Sequence, residues 1–223
     1  MLLQRFTENR NRCGLVLLAL CGLAMAGCAS SPSTDQPGGS KNMQMGVDGQ
    51  SIEAREVPAK ARTLYEQAVS SMAAGHTTDA ELRFQEFLLQ YPDYPGAHVN
   101  LAIIFAARGD DQACENALTD ALILDPQHAV ALNQLGMLLR RQGKFLEAES
   151  AYLKAVTASP DYALAHYNRG VLNDLYLKRL DAALQHYEQY QALVGEEDDQ
   201  VTKWIADLKR RIGAAQTSAN VTE

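Results

Sequence analysis

Residues 129–160 read AVALNQLGMLLRRQGKFLEAESAYLKAVTASP, and the placing of their small, aromatic and proline residues decides the architecture. Moved by 34 residues, the pattern returns. Ala68, Ala102, Gly136 and Gly170 stand at this spacing, as do Gly75, Gly109 and Gly143. So do Ala80, Cys114 and Ala148, then Phe84, Leu118 and Tyr152, then Phe87, Ala121 and Ala155, and finally Pro92, Pro126 and Pro160. A fixed period of this length means an array in which each unit buries its apolar face against the next.

The residue types make sense as helix pairs. Small residues at Ala68, Ala102, Gly136 and Gly170 face Ala80, Cys114 and Ala148, so two backbones approach closely, and Phe84, Leu118 and Tyr152 fill the space beside them. Each repeat's glycine falls where a first helix must stop in a left-handed residue. Each proline closes one unit and precedes the next helix. No strand-like alternation competes with this pattern.

The pattern resembles the tetratricopeptide repeat (TPR) family, whose unit is two antiparallel helices with small residues at their crossing. The resemblance covers about residues 59 to 194. It implies an all-α helical solenoid of about four helix-turn-helix repeats plus a C-terminal capping helix. The fourth repeat departs from the pattern: Leu177 stands where the turn glycine would be, Ala183, Tyr187 and Tyr190 match only with one extra residue in the turn, and the closing proline is missing. An atypical last repeat is what a capped array requires. After the acidic run Glu196 to Asp199, residues Val201, Trp204, Ile205, Leu208 and Ile212 have the spacing of an amphipathic helix. The acids precede it and Lys209, Arg210 and Arg211 lie near its end, which suits the macrodipole. The acidic run could also serve as a cation or partner patch.

The N-terminus carries a second signal. Arg5, Arg10 and Arg12 precede an apolar stretch from Leu15 to Met25, too short to span a bilayer and typical of a secretory signal. Met25-Ala26-Gly27-Cys28 resembles the bacterial lipobox, with Met25 where leucine is commoner. The resemblance implies cleavage before Cys28 and a lipid-bearing (palmitate-type) cysteine at the new N-terminus. With Ala29 rather than an aspartate following, it also implies delivery to the outer membrane of a Gram-negative cell, facing the periplasm. An ordinary signal peptide with Cys28 incidental is the alternative. The expected organisation is therefore a signal peptide over 1–27, a lipidated cysteine and tether over 28–57, a repeat domain with its cap over 58–213, and a disordered tail over 214–223. The tether is rich in Ser, Pro, Gly, Gln and Asp and would span roughly 30 Å as a coil.

Cleavage would take away Cys13 and Cys21, leaving Cys114 in the folded domain, at the small packing position that Ala80 and Ala148 fill in neighbouring repeats. A packed, inert thiol is the expectation there. Removing three bases and one acid from 20 and 27 leaves 17 against 26, a net charge near −9. An acidic body lacks the basic face that nucleic acid requires, and membrane attachment would fall to the lipid anchor.

In TPR proteins the first helices line a concave groove. The resemblance places there Tyr65, Val69 and Met72, then Val99, Ile103 and Ala106, then Asn133, Met137, Arg140 and Arg141, then Tyr167, Val171 and Asp174. Asn100, Asn133 and Asn168 add amides able to bond a peptide backbone. An apolar stripe with amides suits an extended or helical protein segment. The same residues could instead pack against the chain's own tether or a second copy of the chain, so a homo-oligomer stays open. Val69, Ile103 and Met137 stand where a carboxylate-clamping groove has lysines and asparagines, so that clamp is absent. Arg140 and Arg141 form a basic pair for an acidic partner residue, or are simply solvated.

Nothing points to catalysis. His76, His98, His128, His166 and His186 are scattered, no cofactor or metal motif appears, and no phosphate-cradling loop is present. The expected role is a membrane-anchored periplasmic adaptor that binds envelope proteins and helps assemble or localise them. Machinery for type IV pilus secretins, peptidoglycan hydrolases or polysaccharide export would fit equally. The alternative is a structural subunit held by its convex face or termini.

Overall fold

The computed structural model describes residues 58–221, with side chains through residue 217. The expected signal peptide, Cys28 and tether lie outside these residues. Four helical hairpins follow one another: α1 (Ala59–Ala73) with α2 (Thr77–Gln90), α3 (Pro95–Arg108) with α4 (Asp111–Leu124), α5 (Ala129–Arg141) with α6 (Phe145–Ala158), and α7 (Ala163–Val171) with α8 (Leu180–Leu193). A ninth helix, α9 (Asp199–Val221), closes the array. No strand occurs among the described residues.

The repeated small residues do the packing work expected of them. Ala68, Ala102, Ala80, Cys114 and Ala148 are buried. A Cβ placed on Gly136 would lie 2.5 Å from the Tyr152 ring, and one on Gly170 would lie 2.6 Å from that of Tyr187. These glycines therefore let the aromatic rings of the second helices lie against the first-helix backbone. Phe84 and Leu118 are wholly buried at the equivalent sites, each contributing roughly 1.5–3 kcal/mol by removal from water. Cys114 is a free, buried thiol whose pKa burial pushes up, which fits an inert packing role.

The turns follow from backbone preference. Gly75, Gly109 and Gly143 end the first helices at φ of 81°, 79° and 77°, a region that costs other residues a Cβ clash. The fourth hairpin absorbs its extra residue in a π-helical turn, Leu172–Leu177, which continues α7. That widened turn carries the left-handed stop from position 177 to Lys178, with φ 56°. Everything after it is displaced by one, which is why Ala183 and Tyr187 answer to Ala148 and Tyr152.

The acidic run caps the last helix. Asp198 Oδ1 accepts from the backbone N–H groups of Gln200 (2.9 Å) and Val201 (3.1 Å), satisfying two donors that the first turn leaves free. Val201 and Leu208 are buried against α8 with Trp204 and Ile205 beside them. The helix does not stop at 213: the tail expected to be disordered over 214–223 is helical as far as Val221. Gly213 disfavours a helix by about 1 kcal/mol, but extending a helix already nucleated by packed turns is easy.

Candidate functional site: the face of the first helices

The first helices of hairpins two, three and four touch one another more closely than their second helices do. The array therefore bends toward α1, α3, α5 and α7, which form its inner, concave layer. On each of these helices residues at spacings of three or four share one stripe: Tyr65, Val69 and Met72 on α1; Val99, Ile103 and Ala106 on α3; Val130, Asn133, Met137, Arg140 and Arg141 on α5; Leu164, Tyr167 and Val171 on α7.

The stripe divides into residues that hold the layer together and residues that stay open. Val99, Asn133 and Asn168, expected to line the groove, are buried. Asn168 Nδ2 donates to Asn133 Oδ1 at 3.0 Å, and Asn100 Nδ2 donates to Tyr65 Oη at 2.8 Å. Each bond joins one first helix to the next, so Asn100 and Asn168 each commit a donor, and Asn133 its oxygen, within the fold. The reason is proximity: adjacent first helices of a curved array converge, and an uncompensated amide between them would cost about 1–3 kcal/mol. Tyr167 and Val171 are half-buried beside the capping helix, with the Tyr167 ring 6.0 Å from Trp204 and 5.2 Å from Tyr190 between centroids. Asp174 is buried and paired with Arg211 of α9 at 3.0 Å. The capping helix thus closes the C-terminal end of the stripe.

What stays open is apolar. Val69 is 39% exposed and Met137 37%, with Met72, Ile103 and Ala106 partly buried between them. Val130 and Leu164 were missed at the sequence level. Leu164 is 53% exposed and lies three residues before Tyr167, as Val130 lies before Asn133, so stepping the stripe back by one turn would have found both.

Electrostatics distinguish the two arginines. Arg141 is exposed and pairs with Asp111 of the preceding hairpin, one of a series of ties between neighbouring repeats that includes Arg108–Glu81 and Arg179–Glu149. Arg140 is half-buried, and its Nη1 atom is buried with no hydrogen-bond partner among the described residues. Its charge reaches Tyr152, Tyr167 and Tyr187, which places it at the junction of α5, α6, α7 and α8. Burial pushes the Tyr152 phenol up to about 12, and Arg140 pulls against that rise.

Behind the stripe, the fourth repeat holds a polar interior. His166 Nε2 lies 3.0 Å from the Pro160 carbonyl and must donate to it, so His166 Nδ1 accepts from His186 Nδ1–H at 3.2 Å. Burial first, then Arg169 and His166, push His186 down to about 4. Between the second and third hairpins, on the side away from the stripe, an open cavity of about 350 Å³ is lined by Leu122, Leu132, Leu135 and Leu139, with Glu147 and Lys154 at its margin. Among the described residues no group of three or more His, Cys, Asp or Glu is placed to hold a metal, and no helix is long and apolar enough to cross a membrane.

This architecture defines an all-α repeat scaffold for protein–protein interaction. Residues 65–129, 112–163 and 133–198 match the tetratricopeptide repeat family, and the chain belongs to it. It is similar to the solved structure of pilF from Pseudomonas aeruginosa, with 23% identity, a TM-score of 0.62 and coverage of 69% of each chain. It is also similar to the first TPR domain of Spaghetti (RPAP3) bound to the HSP90 peptide SRMEEVD, with 20% identity, a TM-score of 0.50, and coverage of 53% of this chain and 95% of that one. At these identities the likeness is one of fold. Over 80 residues the chain is 35% identical to the probable UDP-N-acetylglucosamine–peptide N-acetylglucosaminyltransferase SPINDLY of Eustoma exaltatum subsp. russellianum, covering 35% of this chain and 9% of that protein. The chain thus spans under a tenth of that relative's length.

Proposed function

We propose that the protein is an adaptor of the bacterial envelope, exported by its N-terminal signal, lipid-anchored through Cys28 and facing the periplasm at the outer membrane. It receives a protein segment along the first-helix stripe and holds the partner near the membrane. The observation that supports this reading most is the set of exposed apolar side chains, Val69, Met137 and Leu164, on the inner layer of an acidic scaffold. Apolar groups on a concave repeat surface are a docking feature rather than a packing one. Likeness in fold to pilF is compatible with an envelope role. The test pairs Met137→Glu with Leu164→Glu, two side chains the fold leaves open. The double variant keeps its helicity and loses the partners that the unaltered protein captures from detergent-solubilised envelope; equal capture by both would refute groove binding. The anchor is tested separately: Cys28→Ser abolishes incorporation of a labelled fatty acid and releases the protein from the membrane fraction, and retained label would refute it.

A second reading has its own observation. Leu89 and Ile123, 34 positions apart on α2 and α4, are 86% and 72% exposed. With Leu82 they form an apolar strip on the second-helix side, which would suit a structural subunit held by its outer face.

A further inference from the structure

Arg140 sits in the middle of the stripe, three residues after the exposed Met137 and thus on its side of α5. Among the described residues, the other charged side chains assigned to the stripe, Arg141 and Asp174, are paired. Arg141 is taken by Asp111 across the second and third hairpins. Asp174, the acid one repeat further along at the position equivalent to Arg140, is taken by Arg211 of the capping helix at 3.0 Å. Arg140 makes no ion pair or hydrogen bond among the described residues, and its Nη1 nitrogen is shielded from water. The phenol rings of Tyr152, Tyr167 and Tyr187 feel its charge; Tyr167 also feels Asp198 and Tyr187 feels Asp174, but those carboxylates bond Tyr190 and Arg211 rather than Arg140. A guanidinium held half-buried without an acceptor, beside open apolar side chains, is electrostatically incomplete, and a carboxylate completes it with charge-assisted hydrogen bonds.

Resting on the groove reading above, we infer that the partner of the first-helix stripe is an apolar protein segment carrying one acidic side chain, whose carboxylate is received by Arg140 while its apolar neighbours cover Met137 and Leu164. The segment's acid supplies the acceptor that the fold withholds. Selectivity follows from the same arrangement. A neutral segment leaves Arg140 unpaired and further desolvated, and a basic one sets like charges together, so both are rejected in a way that apolar contact alone does not achieve. The overall acidity of the protein opposes approach of an acidic segment, so its binding depends on the pairing made at Arg140.

The test is selection of a random twelve-residue displayed peptide library on the immobilised full chain, followed by measurement of the selected peptides against variants. The expected peptides carry apolar residues and one Asp or Glu at a fixed spacing. Arg140→Gln weakens them by about tenfold to a hundredfold, the range of a lost charge-assisted bond, and Arg140→Glu selects Lys or Arg at that position instead. Met137→Glu removes binding of every selected peptide. Peptides that need Met137 but bind Arg140→Gln as tightly as the unaltered chain would overturn the acidic-partner inference and leave the groove in place. Peptides indifferent to Met137→Glu, or no peptides at all, would overturn the groove reading and the inference with it. Circular dichroism on each variant, with Arg140→Lys as the charge-conserving control, separates loss of recognition from loss of fold.

Discussion

Lowering the pH from 7 toward 4 should weaken the fourth repeat through one buried imidazole. His186 donates to His166 and lies near Arg169, and its pKa in the folded protein is pushed down to about 4; in an unfolded chain it is about 6.5. Above pH 6.5 both states are neutral and the group contributes no pH dependence. Below 6.5 the unfolded chain takes up a proton that the folded one refuses, so stability falls as pH falls, and the fall ends near pH 4. Proton linkage puts the loss at about 2 kcal/mol at pH 5 and about 3 kcal/mol at pH 4. For a domain of this size 2 kcal/mol corresponds to roughly 4–8 °C in melting temperature. The assay is thermal melting by circular dichroism at half-unit pH steps, on the natural protein and on His186→Phe. The variant removes the titrating group, so it should flatten the slope between pH 6.5 and 4.5 even where it lowers stability at every pH. Asp79, Asp161 and Asp207 are held below the usual carboxylate range by hydrogen bonds from Arg83, Ser159 and Arg210 respectively, so their stabilisation is lost only nearer pH 4 and below, and they do not produce the earlier slope. Identical slopes in protein and variant would refute the assignment to His186.

Two further perturbations probe the packing logic. Gly170→Ala puts a methyl 2.6 Å from the Tyr187 ring and should cost about 1–3 kcal/mol, seen as a lower denaturation midpoint; an unchanged midpoint would mean that the ring is free to retreat. Lys178→Gly relieves a side chain from φ 56° and should stabilise by about 1 kcal/mol, measured in the same way, whereas a loss would show that the lysine side chain holds the turn.

Much of the fold was legible because the period constrains every level at once. The 34-residue spacing of Gly136 and Gly170, with Tyr152 and Tyr187 35 apart across the longer fourth turn, specified where helices cross, and the structure brings each ring onto its glycine. The need for one extra residue in the fourth turn was also visible, although nothing in the letters said that it would be stored as a π-helical turn ending in Lys178. The open surface was less legible. Spacing identified which residues share the inner stripe, but not which of them the neighbouring repeat would consume. Asn133 and Asn168 are 35 apart, a relation that becomes a hydrogen bond only through the convergence of adjacent helices. Val99 is covered for a related reason, as a helix stripe facing a curved neighbour loses its edge to packing. Arg140 and Arg141 are adjacent letters with opposite fates, because one step along the helix turns Arg140 toward the tyrosines of the third and fourth hairpins and Arg141 outward to Asp111. The tail was misjudged because polar, small residues after Gly213 read equally well as coil or as continued helix.

The groove reading is tested most directly by site-specific photocrosslinking in living cells. A benzophenone-bearing residue is placed singly at Leu164, at Met137 and, as the outer-face control, at the 86% exposed Leu89. Adducts to the same envelope protein from Leu164 and Met137, with none from Leu89, are the expected result. An adduct from Leu89 with silence at both inner positions would contradict groove binding and place the working surface on the second helices.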